Sequence, residues 1–212
     1  MKTNLPHIFQ QIVHNAVASW IAIAMRVLLA AMLGIVMVTG ARADPLPEQE
    51  PDIRVRIDGS AVIVNVALFV RATPEEAWAV MTDFDNASRF IAKLHESRIL
   101  SRTPDVLMVS QKGTMGFGPF TVPLESVSEI RLKPYEAIQS RMLSGNMKKY
   151  DSDTTIRREA GGSRIIYRVE SIPDVWIPPL IGPAMVEFET RSRFRQLVEE
   201  ILRRKAVAAA NK

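Results

Sequence analysis

The clearest change of hydrophobic pattern along the chain is a strand pattern that gives way abruptly to a helix pattern. Residues 61–71 are rich in β-branched and aromatic side chains, which predicts a strand buried over most of its length. Thr73, Pro74 and Glu76 then match a helix start, because they supply a cap, a first-turn proline and the second half of a capping box. An apolar stripe at helical spacing predicts that this helix ends near Asp83.

A second short helix is predicted from Asp85, and the chain beyond it alternates apolar and polar positions in short runs typical of an antiparallel meander. The glycines of Ala160-Gly161-Gly162 predict a tight hairpin between the last two runs. From Ala184 onward, apolar positions at helical spacing predict a long final helix with one buried face. The predicted strands of the meander span residues 96–102, 106–113, 120–132, 136–143, 152–159 and 164–172.

Strand alternation also predicts which side chains face the interior, since successive residues point to opposite faces of a sheet. Charged residues mark the outer face, namely Glu125, Glu129, Arg141 and Arg168. A slip of one residue in any strand would reverse the assignment there. The predicted inner positions are Leu107, Val109, Gln111, Phe120, Val122, Leu124, Ser126, Ser128, Ile138, Ser140, Met142, Ile156, Ile165, Tyr167 and Val169.

The first 43 residues contain no Asp or Glu, and they include an apolar run at 27–38 that is followed by Ala41-Arg42-Ala43. A positive residue, an apolar run and an Ala-x-Ala site predict a secretory signal peptide, residues 1–43, cleaved after Ala43. Met25 would begin a compact signal, so we expect translation to start there. The alternative is an uncleaved anchor in the inner membrane, which Arg26 disfavours because it would lie near the middle of the span. The expected location is the periplasm or the exterior.

Removal of this segment changes the charge of the chain. The 27 Lys and Arg residues fall to 24 when Lys2, Arg26 and Arg42 are lost, against 23 Asp and Glu, so the net charge of +4 falls to +1. A nearly neutral chain gives no reason to expect a nucleic-acid partner. The remaining residues suit a flexible lead-in at 44–52, one domain at 53–206 and a tail at 207–212.

The chemistry that the sequence offers is limited. The chain has no cysteine, and His95 is the one histidine after residue 43, which excludes cysteine nucleophiles, disulfides and the usual zinc sites. No Gly-x-Ser-x-Gly, Walker or dinucleotide motif is present. The glycines at 113–118 lie between two predicted strands, so they are interpreted as a hairpin loop and not a phosphate site. No catalytic residue, metal or cofactor is predicted from these patterns.

A resemblance adds to this picture. The segment Ala72-Thr73-Pro74-Glu75-Glu76-Ala77-Trp78, with Thr82-Asp83-Phe84-Asp85 and Arg89-Phe90 after it, resembles the opening of START-like (SRPBCC) proteins of the polyketide cyclase/dehydrase and coenzyme Q-binding-like branch. Ala92 departs from the pattern, because relatives commonly have proline there. The resemblance implies an α+β helix-grip fold of β-α-α-β(5–6)-α order, in which a curved antiparallel sheet wraps a long C-terminal helix.

The resemblance also implies a function, since such proteins commonly hold lipids, quinones or polycyclic molecules between the sheet and the final helix. The expected partners are therefore a hydrophobic small molecule bound or shuttled in an apolar cavity and, transiently, a membrane; nothing specifies an oligomeric state. Residues 176–183 and 113–118 are expected to gate the cavity. The predicted lining residues are Leu107, Val109, Gln111, Phe120, Val122, Leu124, Ile138, Met142, Tyr167, Trp176, Leu180, Met185 and Phe188.

Two alternatives stay open at this point. A cyclase or dehydrase type of enzyme acting on an apolar substrate would need an ionisable side chain inside the cavity, such as Glu125, Arg141 or His95 turned inward. A non-catalytic interaction module of the cell envelope would instead have a filled core and an exposed apolar patch.

Overall fold

The structure, a computed structural model, describes residues 50–117, 120–174 and 181–211. Its strands form one antiparallel sheet of eight strands in the order β1-β2-β8-β7-β6-β5-β4-β3. The strands are β1 Asp52–Asp58, β2 Ala61–Val70, β3 Leu94–Arg102, β4 Val106–Phe117, β5 Phe120–Lys133, β6 Ala137–Gly145, β7 Met147–Glu159 and β8 Gly162–Pro173. The helices are α1 Pro74–Met81, a 3-10 helix Phe84–Arg89 and α2 Gly182–Ala210.

The capping box predicted for α1 is present in full. The backbone N–H of Glu76 donates to the Thr73 hydroxyl over 3.2 Å, and the N–H of Thr73 donates to the Glu76 carboxylate over 2.8 Å. Two of the N–H groups that a helix start leaves without partners are therefore satisfied by side chains, and Pro74 occupies the first helical position. This box fixes the residue at which β2 ends and α1 begins.

The core lies on the concave face of the sheet and has two parts. One part joins β2, β7 and β8 to α1 and α2, through buried residues such as Leu68, Ile165 and Ile201. The other part lies on β4, β5 and β6 and consists of Leu107, Val109, Ile130 and Ile138. Trp78 of α1 packs against both parts, so this helix closes one end of the concave face.

Helix α2 is held against the sheet by its apolar side and by ion pairs. Phe194, Val198 and Ile201 are buried in the first part of the core. Arg191 and Arg195 both reach the carboxylate of Glu50, at 3.2 and 2.8 Å. No helix within the described ranges is both long and apolar enough to cross a membrane.

The structure differs from the predicted elements by one added strand and by longer strands and a longer final helix, while the predicted hairpin is present. An edge strand, β1, pairs along β2 from Asp52 opposite Ala67 to Asp58 opposite Ala61, where the sequence was interpreted as a lead-in up to residue 52. Strands β4, β6 and β7 extend past their predicted ends, and α2 continues into the predicted tail. The hairpin between β7 and β8 is present, and Gly161 has the positive φ of 82° that such a turn requires.

The capping box provides a first test of the fold. We expect Thr73→Ala to lower the free energy of unfolding by about 1 kcal/mol, because the Glu76 N–H loses its acceptor. The measurement is urea unfolding of the full chain followed by circular dichroism. Thr73→Ser keeps the hydroxyl and is the control, so an equal loss of stability in both variants would contradict the proposed role of the cap.

Candidate ligand-binding site

The concave face has a packed end and an open end, which differ in how completely the inward side chains are covered. The packed end consists of fully buried apolar residues: Val70, Leu107, Val109, Ile130, Ile138, Ile156 and Ile165. The open end consists of inward residues of β4 to β7 that remain half-buried: Met115, Val122, Leu124, Ser126, Ser140, Met142 and Tyr150. Side chains that face inward and yet stay accessible border unfilled space, so the open end is the candidate ligand site.

The predicted lining residues separate between these two ends. Leu107, Val109 and Ile138 belong to the packed end, where they contact one another. Six predicted residues are half-buried on the concave face or on α2: Gln111, Val122, Leu124, Met142, Tyr167 and Met185. Phe188 is 54% exposed on α2. Trp176, Leu180 and the side chain of Phe120 lie outside what the structure describes, as do residues 176–180 and 118 of the two predicted gates, whereas residues 113–117 belong to β4.

A row of uncharged polar side chains crosses the concave face where the two ends meet, and we call it the polar band. Strand register places Ser97 opposite Gln111, Gln111 opposite Ser126, and Ser140 opposite Ser152. Sequence alternation predicted that some of these residues face inward, but it did not predict that they form one row. The members of the polar band are Ser97, Gln111, Ser126, Ser128, Ser140, Tyr150, Ser152, Thr154 and Tyr167.

Some members of the polar band are hydrogen-bonded to each other. The side-chain amide of Gln111 donates to the Ser97 hydroxyl over 3.1 Å. The hydroxyl oxygens of Tyr150 and Tyr167 lie 2.8 Å apart and share a hydrogen bond. The Tyr167 ring packs on Phe194 of α2, with ring centroids 5.3 Å apart, so this pair also fixes the helix over the sheet.

The environment of Tyr167 keeps its phenol protonated. Removal from water is the main cause that raises the pKa of Tyr167 well above its usual range, and the hydrogen bond with Tyr150 adds to this. A hydrogen bond with Ser152 and the charge of Arg193 act in the opposite direction but are weaker. A general base works best with a pKa near the operating pH, so this phenol suits hydrogen bonding better than proton abstraction.

The ionisable residues considered for catalysis do not reach the open end. His95, Glu125 and Arg141 are all exposed. Within the described ranges, no group of three or more His, Cys, Asp or Glu side chains is arranged to hold a metal ion.

A polar cavity lies where α2 meets the 3-10 helix. Its volume is about 470 Å³, and its lining is Asp83, Asn86, Arg89, Phe90, Glu200, Arg203 and Arg204. Arg204 donates to Glu200 over 2.6 Å, pairs with Asp83 over 2.8 Å, and places its guanidinium over the Phe90 ring. None of the predicted ligand residues lines this cleft, and its contacts anchor the C-terminal half of α2.

Glu200 is the centre of that anchor. Its carboxylate is only 9% exposed and accepts hydrogen bonds from Arg203 and Arg204. The bonds from Arg203 contribute most to lowering the pKa of Glu200 to about 2, with those from Arg204 adding to the effect and burial opposing it. The ionised carboxylate is therefore part of the folded structure.

An antiparallel sheet curved around a long C-terminal helix, with a face left partly open between them, defines the helix-grip (START-like) fold. The STAR-related lipid transfer protein of Xanthomonas axonopodis has this fold, with a TM-score of 0.58 and 13% identity over 72% of this chain and 99% of that one. The Zhui aromatase/cyclase of Streptomyces sp. R1128 gives a TM-score of 0.57 and 14% identity, over 68% of this chain and 95% of that one. At such identities the likeness shows the fold alone.

The sequence itself gives the family. The polyketide cyclase/dehydrase and lipid transport family matches residues 70–200, which is more than half of the chain. The chain belongs to this family, and the predicted membership of the START-like superfamily is confirmed. No curated protein matches the sequence significantly.

The anchor around Glu200 leads to a prediction about pH. A carboxyl whose pKa is lower in the folded state stabilises the fold above its ordinary pKa of 4.5. That stability should be lost as the pH falls from 4.5 towards the folded value of about 2. We expect Glu200→Gln to lower the free energy of unfolding at pH 7 by about 2 kcal/mol and to flatten the pH dependence in this window.

The measurement is denaturant unfolding of the full chain from pH 2 to pH 7. Glu199→Gln is the matched control, because Glu199 is the preceding residue on α2 and is exposed. If both variants kept the pH dependence of the unmodified protein between pH 4.5 and pH 2, Glu200 would not be its source.

Proposed function

We propose that this protein binds a hydrophobic small molecule, such as a lipid, a quinone or a polycyclic compound, at the open end of the concave face and shuttles it without transforming it. The observation that carries the proposal is the contrast between the two ends of that face. The packed end is filled by its own side chains, whereas Val122, Leu124 and Met142 face the concave side and remain half-buried. Accessible apolar side chains on a concave face are what a hydrophobic ligand would cover.

Burial alone can supply the affinity. Each square ångström of apolar surface removed from water contributes roughly 25 cal/mol, so a ligand covering these side chains needs no charged contact to bind. Met115 and Met142 suit such a site, because unbranched methionine side chains adapt to ligands of irregular shape. Two proteins with the same fold support this class of ligand, since one is a lipid transfer protein and the other an aromatase/cyclase.

Binding is preferred over catalysis because of what faces the open end. His95, Glu125 and Arg141 are exposed elsewhere, and the raised pKa of Tyr167 keeps its phenol neutral. A general acid or base needs both reach and a pKa suited to the operating pH.

We also propose that the protein acts after export, in the periplasm or outside the cell. The support is in the sequence: no acidic residue occurs in the first 43 residues, and an apolar run precedes Ala41-Arg42-Ala43. The chain has no cysteine, so the exported protein would depend on its hydrophobic core for stability and not on disulfides.

Filling the open end tests the binding proposal. We expect Met142→Trp to weaken retention of a bound hydrophobic molecule by about tenfold or more, since the larger side chain occupies ligand space. The measurement is organic extraction of the protein purified after expression of the full chain, with mass spectrometry of the extract. Leu143→Trp is the matched control, because Leu143 is the next residue of β6 and is 55% exposed on the other face.

Two results would contradict the binding proposal. One is an equal amount of extracted ligand in the two variants. The other is an extract of the unmodified protein that contains no apolar molecule, combined with no uptake of any added hydrophobic compound.

The export proposal has a separate test. Expression of the full chain in a bacterial host should yield a mature protein that begins at Asp44, as read by N-terminal sequencing, because cleavage follows Ala43. Ala43→Leu should block this cleavage, since the site requires a small residue, whereas Ala31→Leu within the apolar run should leave it intact. An intact N-terminus in the unmodified protein would count against a cleaved signal.

A further inference from the structure

We infer, on the basis of the proposed function, that the ligand is an apolar molecule carrying uncharged hydroxyl or carbonyl oxygens, which the buried hydroxyls of Ser128 and Thr154 bind by hydrogen bonds. The open end would then discriminate against plain hydrocarbons and against carboxylates. Four properties of the polar band support this class of ligand. They are its position, its two buried hydroxyls without partners, the hydrogen bonds already formed between other members, and its lack of charged side chains.

The position of the polar band suits an oxygen at the inner end of a ligand. Strand register places Ser128 opposite Met142 of the open end and opposite Val109 of the packed end. Thr154 lies opposite Ile138 of the packed end and opposite Tyr167. A molecule that fills the open end therefore ends at these hydroxyls, where its own polar atoms would be removed from water.

Ser128 and Thr154 have no hydrogen-bonding partner in the part of the chain that the structure describes. They are 7% and 6% exposed, and within the described ranges neither hydroxyl forms a hydrogen bond with any side chain or backbone group. A buried polar group without a partner costs roughly 1–3 kcal/mol, so buried hydroxyls are normally bonded to something. A ligand oxygen that reached these hydroxyls from the open end would remove that cost, because a hydroxyl can both donate and accept.

Other members of the polar band already have hydrogen-bonding partners, which leaves few groups in the band for a ligand to bind. Gln111 donates to Ser97, and Tyr150 and Tyr167 bond to each other. Ser126 and Ser140 are half-buried, so water can reach them in the unliganded protein. The two buried hydroxyls are thus the groups whose hydrogen bonding depends on what enters the site.

Charge decides between a neutral and an anionic ligand group. The polar band contains no charged side chain, so a carboxylate buried against it would lose its hydration without gaining an opposite charge from the band. The charged group that acts on the band is Arg193 of α2, which affects Tyr167 but is itself exposed. Water screens an exposed guanidinium, so it does little to offset the desolvation of an anion.

Matched compounds test the inference directly. The probes are hexadecane, hexadecan-1-ol, hexadecan-2-one and hexadecanoate, with anthracene, 2-hydroxyanthracene, anthraquinone and anthracene-2-carboxylate as a tricyclic series. Binding to the full chain is measured by competition at pH 7. We expect the alcohol or ketone of at least one series to bind about tenfold more tightly than both its hydrocarbon and its carboxylate.

Two variants connect this selectivity to the hydroxyls. Ser128→Ala and Thr154→Val should each weaken binding of the preferred alcohol or ketone by about 3- to 10-fold, while binding of the hydrocarbon is unchanged. The thermal stability of the ligand-free variants should stay the same or rise, because each loses a buried hydroxyl without a partner. Thr155→Val, at the next residue of β7, is the matched control and should alter neither quantity.

The outcomes separate this inference from the proposed function. Tight binding of hydrocarbons or carboxylates with no preference for neutral oxygens would overturn the inference and leave hydrophobic binding in place. A loss of stability in the ligand-free variants would also overturn it, since the hydroxyls would then serve the fold. Failure of every compound to bind, with no ligand in the extracted protein, would overturn both.

Discussion

The pairing of β2 with β8 is the constraint on which the rest of the structure depends. Nine residue pairs join these strands, from Val62 opposite Ser171 to Val70 opposite Ser163. A strand near the start of the domain is thereby joined to the last strand before α2, so the meander between them must curve to reach both. The curvature produces a concave face, and alternate residues of β2 line it with Val64, Val66 and Leu68.

The final helix completes this arrangement unevenly along its length. Its C-terminal half is fixed by Phe194 and Ile201 in the core and by the buried Glu200 with its two arginines. The inward residues of the sheet are fully covered at one end and only partly covered at the other. The same helix thus accounts for the stability of the packed end and for the accessibility of the open end, which is where ligand binding is proposed.

The polar band shows how a family fold can acquire selectivity without charge. Hydrophobic burial is not directional, so it can hold many molecules at the open end with similar strength. Hydroxyls at fixed positions on strands discriminate by direction and by donor or acceptor character. Ser128 and Thr154 sit on the sheet, where strand pairing restricts their movement, and this makes them better suited to selection than side chains on loops.

Local sequence determined most of the fold. The capping box at Thr73, the hairpin glycine Gly161 and the alternation of the strands act over a few residues, so the elements and their inward faces could be predicted. Strand β1 was missed, because the predicted lead-in ended at Asp52 and the short segment at 53–58, with its charged side chains, becomes a strand only where β2 offers an edge to pair with. The cavity lining was only partly specified: alternation gives the direction of Leu107 and Met142, but not whether anything covers them.

Tertiary structure decided what the sequence could not. Leu107 is buried and Met142 is not, because Trp78 closes one end of the sheet while the other end has no equivalent cover among the described residues. Strand pairing brings Ser97, Gln111 and Ser126 next to one another. No local pattern could reveal that Glu50 pairs with Arg191, which lies 141 positions further along the chain.

 

Such contacts join residues far apart in the chain, so they depend on how the whole sheet curves and not on the spacing of side chains within any one segment. The sequence therefore determined the elements and the faces they present, and the tertiary structure decided which of those faces are filled.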